Sequence, residues 1–232
     1  MVKSNVISAT NANRLYWLGR YEERVHMTLH LLRKCYDAMI DGEPEQYNTF
    51  WQRLDAVGNY KTNEEFTLGM MYDEQNPASV ISAQTFARDN AMMLRGFIAS
   101  ETLGYLEMSL ALMKRLKEKQ EINITELQPV TDWSMAFWGS VDERTDHRRT
   151  VVLMYLGRKV ENIDMLVRFD YPFERVKRTF QMLNHFLEGM NTIYDPAVLD
   201  IIDGMLTEDN YKPADPEYKN KLLQFLNILI RV

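Results

Sequence analysis

The chain holds a single cysteine, Cys35, so no intramolecular disulfide can form. A lone thiol among helix-forming residues fits a reducing cytoplasm, where it serves as a small packing group. Long apolar runs are also missing. The most apolar stretch, residues 222–230, is interrupted by Gln224 and Asn227 and is about half the roughly 20 residues a membrane-spanning helix needs. The opening Met1-Val2-Lys3-Ser4-Asn5 lacks the basic-then-apolar order of an export signal. The reading is a soluble cytoplasmic protein that makes no use of a membrane. Basic charge is not in excess: 27 Lys and Arg stand against 33 Asp and Glu, mixed along the chain, for a formal net charge of −6. A nucleic-acid partner, which requires a concentrated basic face, is therefore not expected. The common catalytic signatures are absent too: no Gly-x-Gly-x-x-Gly, phosphate-loop lysine, His-Glu-x-x-His, Cys-x-x-Cys or Gly-x-Ser-x-Gly occurs. No cofactor and no catalytic residue are assigned.

What is present is helix. Strict apolar–polar alternation is missing, whereas apolar residues recur at steps of three and four. Leu15, Leu18, Glu22, Val25, Leu29, Leu32, Tyr36 and Met39 form one stripe of a long first helix, which Ser8 or Thr10 can cap and Gly42 can end. Pro44 suits the first turn of a second helix reaching Val57, and Asn63-Glu64-Glu65 opens a short third. Asn76-Pro77 precedes a helical region that reads as continuous to about residue 120, ending in a basic run that complements the helix dipole. Further helices are expected over about 129–142, 148–169, 172–190, from Asp195-Pro196, and over 217–230. Leu153, Leu156, Val160, Ile163 and Val167 repeat the stripe in the helix after Arg148. Residues 207–216 are the best linker candidate, yet one final helix has too little core to stand alone. The expectation is a single all-α domain over 1–232, a multi-helix bundle around two long seam helices.

Those two helices carry an internal repeat. Leu18-Gly19-Arg20-Tyr21-Glu22-Glu23-Arg24-Val25 is echoed by Leu156-Gly157-Arg158-Lys159-Val160-Glu161-Asn162-Ile163. A glycine inside a helix costs roughly 1 kcal/mol relative to alanine, so two in the same phase call for a reason, and close approach of another helix supplies one. The segment from Arg14 to Arg24, with Glu23-Arg24 at its end, resembles the opening signature of the bacterial alpha-E family, named for an all-α fold with a Glu-Arg pair. Ala87-Arg88-Asp89-Asn90-Ala91, followed by Arg95, Ile98 and Glu101, is similar to the family's middle motif, with Asp89 where Glu is more usual. Asn76-Pro77 also falls where the family has such a pair. The second copy of the repeat departs from the pattern, with Asn162 in place of Arg. The resemblance implies no established enzymatic activity. It implies association with ATP-grasp-type and transglutaminase-like protease partners, in an accessory role in making or modifying a peptide; a homo-oligomer is compatible with it.

The charged residues of these motifs are the candidate site: Arg20, Glu23, Arg24, Arg88, Asn90, Arg95, Glu101, Arg158 and Glu161. Arg20 and Glu23, like Arg158 and Glu161, are three apart and share a helix flank. Glu101 shares a helical face with Leu94, Phe97, Ile98, Tyr105 and Met108 and is expected to be at least partly buried, where it needs an arginine partner. Two readings follow. The charges form an Arg–Glu network that fixes helix register, or the arginine surplus forms a pocket for a carboxylate or phosphate, making the protein a substrate-binding scaffold. A third reading is a carboxylate-bridged metal enzyme: Glu23 and His26 have Glu-x-x-His spacing, with His30 one turn on, and Glu101, Glu161 and Asp164 are further ligand candidates. Only one such motif is present, so no metal is assigned. The basic cluster from Arg144 to Arg149 reads as a solvated turn, and Trp133, Phe137 and Trp138 as core aromatics. Trp133, Trp138 and the last helix become the candidate docking surface if exposed.

Overall fold

The computed structural model describes residues 7–42, 46–54, 60–119, 124–190 and 192–232. Pro44 and Val57, expected in the second helix, lie outside them. Ten α-helices and no strand are present among the described residues; the only strand-like pairing there is an isolated bridge between Tyr194 and Ile230. None of the helices among these residues is long and apolar enough to cross a membrane. The chain divides into two compact units, one of Tyr21–Asp146 and one of Met1–Arg20 with His147–Val232. The first helix, α1 (Ala9–Ile40), contributes its start to the second of these and its remainder to the first.

In the Tyr21–Asp146 unit, α1 is followed by α2 (Gln46–Arg53), α3 (Asn63–Tyr72), α4 (Val80–Met93), α5 (Ser100–Lys119), a 3-10 turn (Ile124–Leu127) and α6 (Gln128–Arg144). Helices α5 and α6 pack side by side, as do α4 and α5 and α3 and α4. Leu29 and Leu32 of α1, Phe66 and Met70 of α3, Ile81 of α4, Leu106 of α5 and Phe137 of α6 are all buried. Two polar contacts lie within this packing: the Thr102 and Ser140 hydroxyls are 2.8 Å apart between α5 and α6, and the Gln84 amide donates to the Leu106 carbonyl. Gly42, just past α1, takes the left-handed φ of +104° that glycine tolerates at a helix end. Short polar side chains start several helices. Ser8 accepts from the Asn11 amide, Ser79 from Ser82, and Thr62 from Glu65 at 3.1 Å. Thr62→Ala removes that acceptor and is expected to cost about 1 kcal/mol; an unchanged urea midpoint would show that α3 starts without help from Thr62.

The region read as one helix from Asn76 to about residue 120 is two helices. The Leu94 amide bonds to the Ala91 carbonyl, and the Phe97 and Ile98 amides both bond to the Leu94 carbonyl. These tight turns around Gly96 break the α-helix, although Leu94 and Ile98 both remain buried. The phase then restarts at Ser100. Glu101 consequently lies in the first turn of α5 and is exposed, not on the buried face predicted for it. A carboxylate there complements the positive end of the helix dipole.

The other unit is built from residues 9–20 of α1, α7 (Arg148–Arg168), α8 (Phe173–Leu187), α9 (Pro196–Met205) and α10 (Pro216–Leu229). Helix α7 packs on α8 and α10, and α10 also packs on α9. Leu153, Leu156, Val160, Ile163 and Val167 are all fully buried. Residues 207–216 are tied down despite their linker-like composition: the Tyr211 hydroxyl donates to the Tyr171 carbonyl at 2.8 Å, and the Tyr218 hydroxyl to the Met205 carbonyl at 2.7 Å. Helix α10 is therefore an integral part of this unit. Its Leu222, Leu226 and Leu229 are buried, as is Trp138 of α6, whereas Trp133 of α6 is half-buried and Ile228 of α10 is exposed.

Candidate functional site

The start of α1 and the middle of α7 approach at their glycines. A Cβ added to Gly19 would stand 2.0 Å from the Met154 carbonyl oxygen and 3.1 Å from the Arg158 amide nitrogen. One added to Gly157 would stand 1.9 Å from the Tyr16 carbonyl oxygen and 3.0 Å from the Arg20 amide nitrogen. The relation is reciprocal: each glycine meets the residue three before, and the residue one after, the other. Only a residue without a side chain permits backbones this close. The repeated glycines thus have the structural reason their helix cost demanded.

This approach places Arg20 of α1 against the carboxylates of α7. The Arg20 Nε donates to Glu161 Oε2 at 2.8 Å, and its Nη2 lies 3.9 Å from Asp164 Oδ2. Asp164 Oδ1 accepts from the Arg168 Nε at 2.6 Å, one helical turn along α7. Asn227 of α10 accepts from Arg20 Nη1 at 3.0 Å. The Arg20 guanidinium carbon sits 5.0 Å from the Trp17 ring centroid, within cation–π range. Arg20, Glu161 and Asp164 are 4, 0 and 2 % exposed, so these charges survive only because they satisfy one another. Burial works against the Arg20 charge, but Glu161, Tyr16 and Asp164 outweigh it and raise its pKa. Burial pushes the Asp164 carboxyl upward and Glu161 adds to this, against the opposing pull of Arg168 and Arg20. Two arginines and two carboxylates form one cluster.

The remaining predicted residues do not share one cluster. Arg88 pairs with its neighbour Asp89 at 3.0 Å near the surface, and the Asn90 amide donates to the Phe86 carbonyl. Arg95 is exposed and donates to the Met92 carbonyl. Glu101 meets Arg144 at 3.3 Å with both side chains more than half exposed. Glu23 is buried, Arg24 and His26 are half-buried and His30 is exposed. Arg158 is half-buried, with its guanidinium 5.6 Å from the Tyr155 ring centroid. Among the described residues, no three His, Cys, Asp or Glu side chains form a group able to hold a metal ion. Of the metal-ligand candidates, Glu161 and Asp164 are occupied by Arg20 and Arg168, and Glu101 by Arg144. Cys35 is buried, and burial pushes its thiol up to about 11, which withholds the thiolate a nucleophile requires.

Sequence reasoning did not include Arg168, Asn227 or the aromatic Trp17 in the cluster. The Asp164–Arg168 spacing of four was readable as a helix pair; the contact of Asn227 depends on how α10 packs and had no local signal.

The class this structure defines is an all-helical protein in which a glycine-mediated helix contact is locked by buried arginine–carboxylate pairs. The chain belongs to the Alpha-E family, a predicted alpha-helical domain with a conserved ER motif, whose pattern matches residues 7–207. Comparison with curated proteins and with solved structures gave no match.

Proposed function

We propose that this chain is a non-catalytic accessory protein of the bacterial cytoplasm, working with ATP-grasp-type and transglutaminase-like protease partners in making or modifying a peptide. The observation that carries the reading is the buried Arg20–Glu161–Asp164–Arg168 cluster. The buried charges of Arg20, Glu161 and Asp164 are engaged with one another and with Arg168, which favours architecture over chemistry. The partner classes come from the family resemblance, and the lone buried thiol fits a reducing compartment. A scaffold of this kind contributes by holding a catalytic partner or its substrate. Co-expression with an ATP-grasp-type protein from the same genome is expected to yield a complex that survives affinity capture and size-exclusion chromatography. Two separate peaks, together with substrate turnover by the isolated chain, would instead make it an enzyme.

A further inference from the structure

Between the first turns of α7 and the end of α8 lies a pocket of about 640 Å³, separate from the Arg20 cluster. That is within the range of roughly 300–1,000 Å³ occupied by small-molecule sites. Arg148 and Arg149 line it, both exposed, and neither makes an ion pair or side-chain hydrogen bond with any described residue. One carboxylate also lines it, Glu188, which lies 3.4 Å from His185 of the same lining. Two guanidiniums against one carboxylate leave the pocket positive.

The rest of the lining is largely apolar, with Val152, Phe186 and Met190 half-buried. Phe186 is held in place by stacking on Tyr155, ring centroids 5.0 Å apart and planes 16° from parallel. The chain leaves α8 through Gly189 at φ +76°, and the Met190 amide bonds back to the Leu187 carbonyl. This left-handed turn shapes the pocket edge at a position where other side chains would be strained. A rigid aromatic wall beside unpaired guanidiniums is poorly suited to a cation, which the arginines repel, and too small a basic surface for nucleic acid.

We propose that this pocket binds a small organic anion, its carboxylate or phosphate head against Arg148 and Arg149 and its apolar body along Phe186, Val152 and Met190. Guanidinium matches both head groups in geometry, and the apolar lining selects for what the head is attached to. The assignment rests on the pocket alone and not on the accessory role proposed above.

Isothermal titration of the full chain tests it with octyl phosphate and with N-acetyl-Leu-Leu as the free acid. Octanol, N-acetyl-Leu-Leu amide and inorganic phosphate are the comparison ligands. At least one of the two anions is expected to bind, one molecule per chain, about tenfold or more tighter than its neutral counterpart and than inorganic phosphate. Octyl phosphate alone binding points to a phosphorylated ligand, and the dipeptide alone to a carboxylate-ended one. The double variant Arg148→Gln/Arg149→Gln is expected to weaken binding by about tenfold or more with an unchanged unfolding midpoint, because both side chains are exposed. Phe186→Ala is expected to weaken the full-length anions while leaving inorganic phosphate unaffected. The proposal is overturned if neither anion binds, if a neutral counterpart or inorganic phosphate binds as tightly, or if the double arginine variant binds like the parent.

Discussion

Glu161→Ala is expected to destabilise the protein by about 3–5 kcal/mol, the cost of leaving a buried charge without its partner. Arg20 is 4 % exposed and directs its Nε at Glu161, so removal of that carboxylate leaves the guanidinium with Asn227, the more distant Asp164 and the Trp17 face. Domains are commonly stable by only about 5–15 kcal/mol, so the loss is a large share of the total. Urea denaturation is expected to show a lower midpoint with an unchanged slope, the sign of lost stability without altered compactness. Glu101→Ala is the contrast. That ion pair is more than half exposed on both sides, and its loss is expected to cost no more than about 1 kcal/mol. Replacing both Arg20 and Glu161 with apolar residues, as Arg20→Met/Glu161→Leu, is expected to recover much of the loss, because it removes the desolvation penalty along with the attraction. If Glu161→Ala unfolds at the parent midpoint, the buried pair does not hold the helices and the architectural reading of the cluster fails.

The parts of this molecule legible in the sequence are those that depend on a helix and its immediate neighbours. The buried stripe of α7 follows from spacing alone, and so do the boundaries set by Ser8, Gly42 and Asp195. The glycine repeat was legible because a helical glycine is costly and two in one phase point to a single cause; Gly19 and Gly157 do meet the opposite backbone. The break between α4 and α5 was not legible. Leu94 and Ile98 keep the four-residue step of a helix while the Leu94 and Phe97 amides reach back only three residues, so the apolar pattern continues across a point where the helical phase is lost. Glu101 was misread for that reason. The pocket was hidden for a different one: Arg148 and Arg149 look like part of a solvated turn until the end of α8, some forty residues on, closes beside them. Long-range placement of this kind has no counterpart in local periodicity.

Gly157→Ala is expected to cost about 3 kcal/mol or more, at or above the upper end of the usual range for overpacking a close-packed interior. The new methyl would meet the Tyr16 carbonyl at 1.9 Å, and the obstacle is helix backbone, which has no rotamer to change. The helices must therefore move apart, and the 2.8 Å contact from Arg20 to Glu161 across the same approach lengthens with them. Gly104 of α5 provides the opposite sign: a Cβ there meets nothing within 4 Å, so Gly104→Ala is expected to stabilise by about 0.5–1 kcal/mol through helix propensity. Gly19→Ala is expected to match Gly157→Ala, since the two contacts mirror each other. Once either alanine has separated the helices, the second finds the space already made, so the double variant is expected to cost clearly less than the sum of the single ones. Urea midpoints of the four proteins in this cycle decide the matter. Strict additivity would mean that the two glycines act at independent sites, and a Gly157→Ala protein as stable as its parent would mean that the backbones of α1 and α7 do not touch.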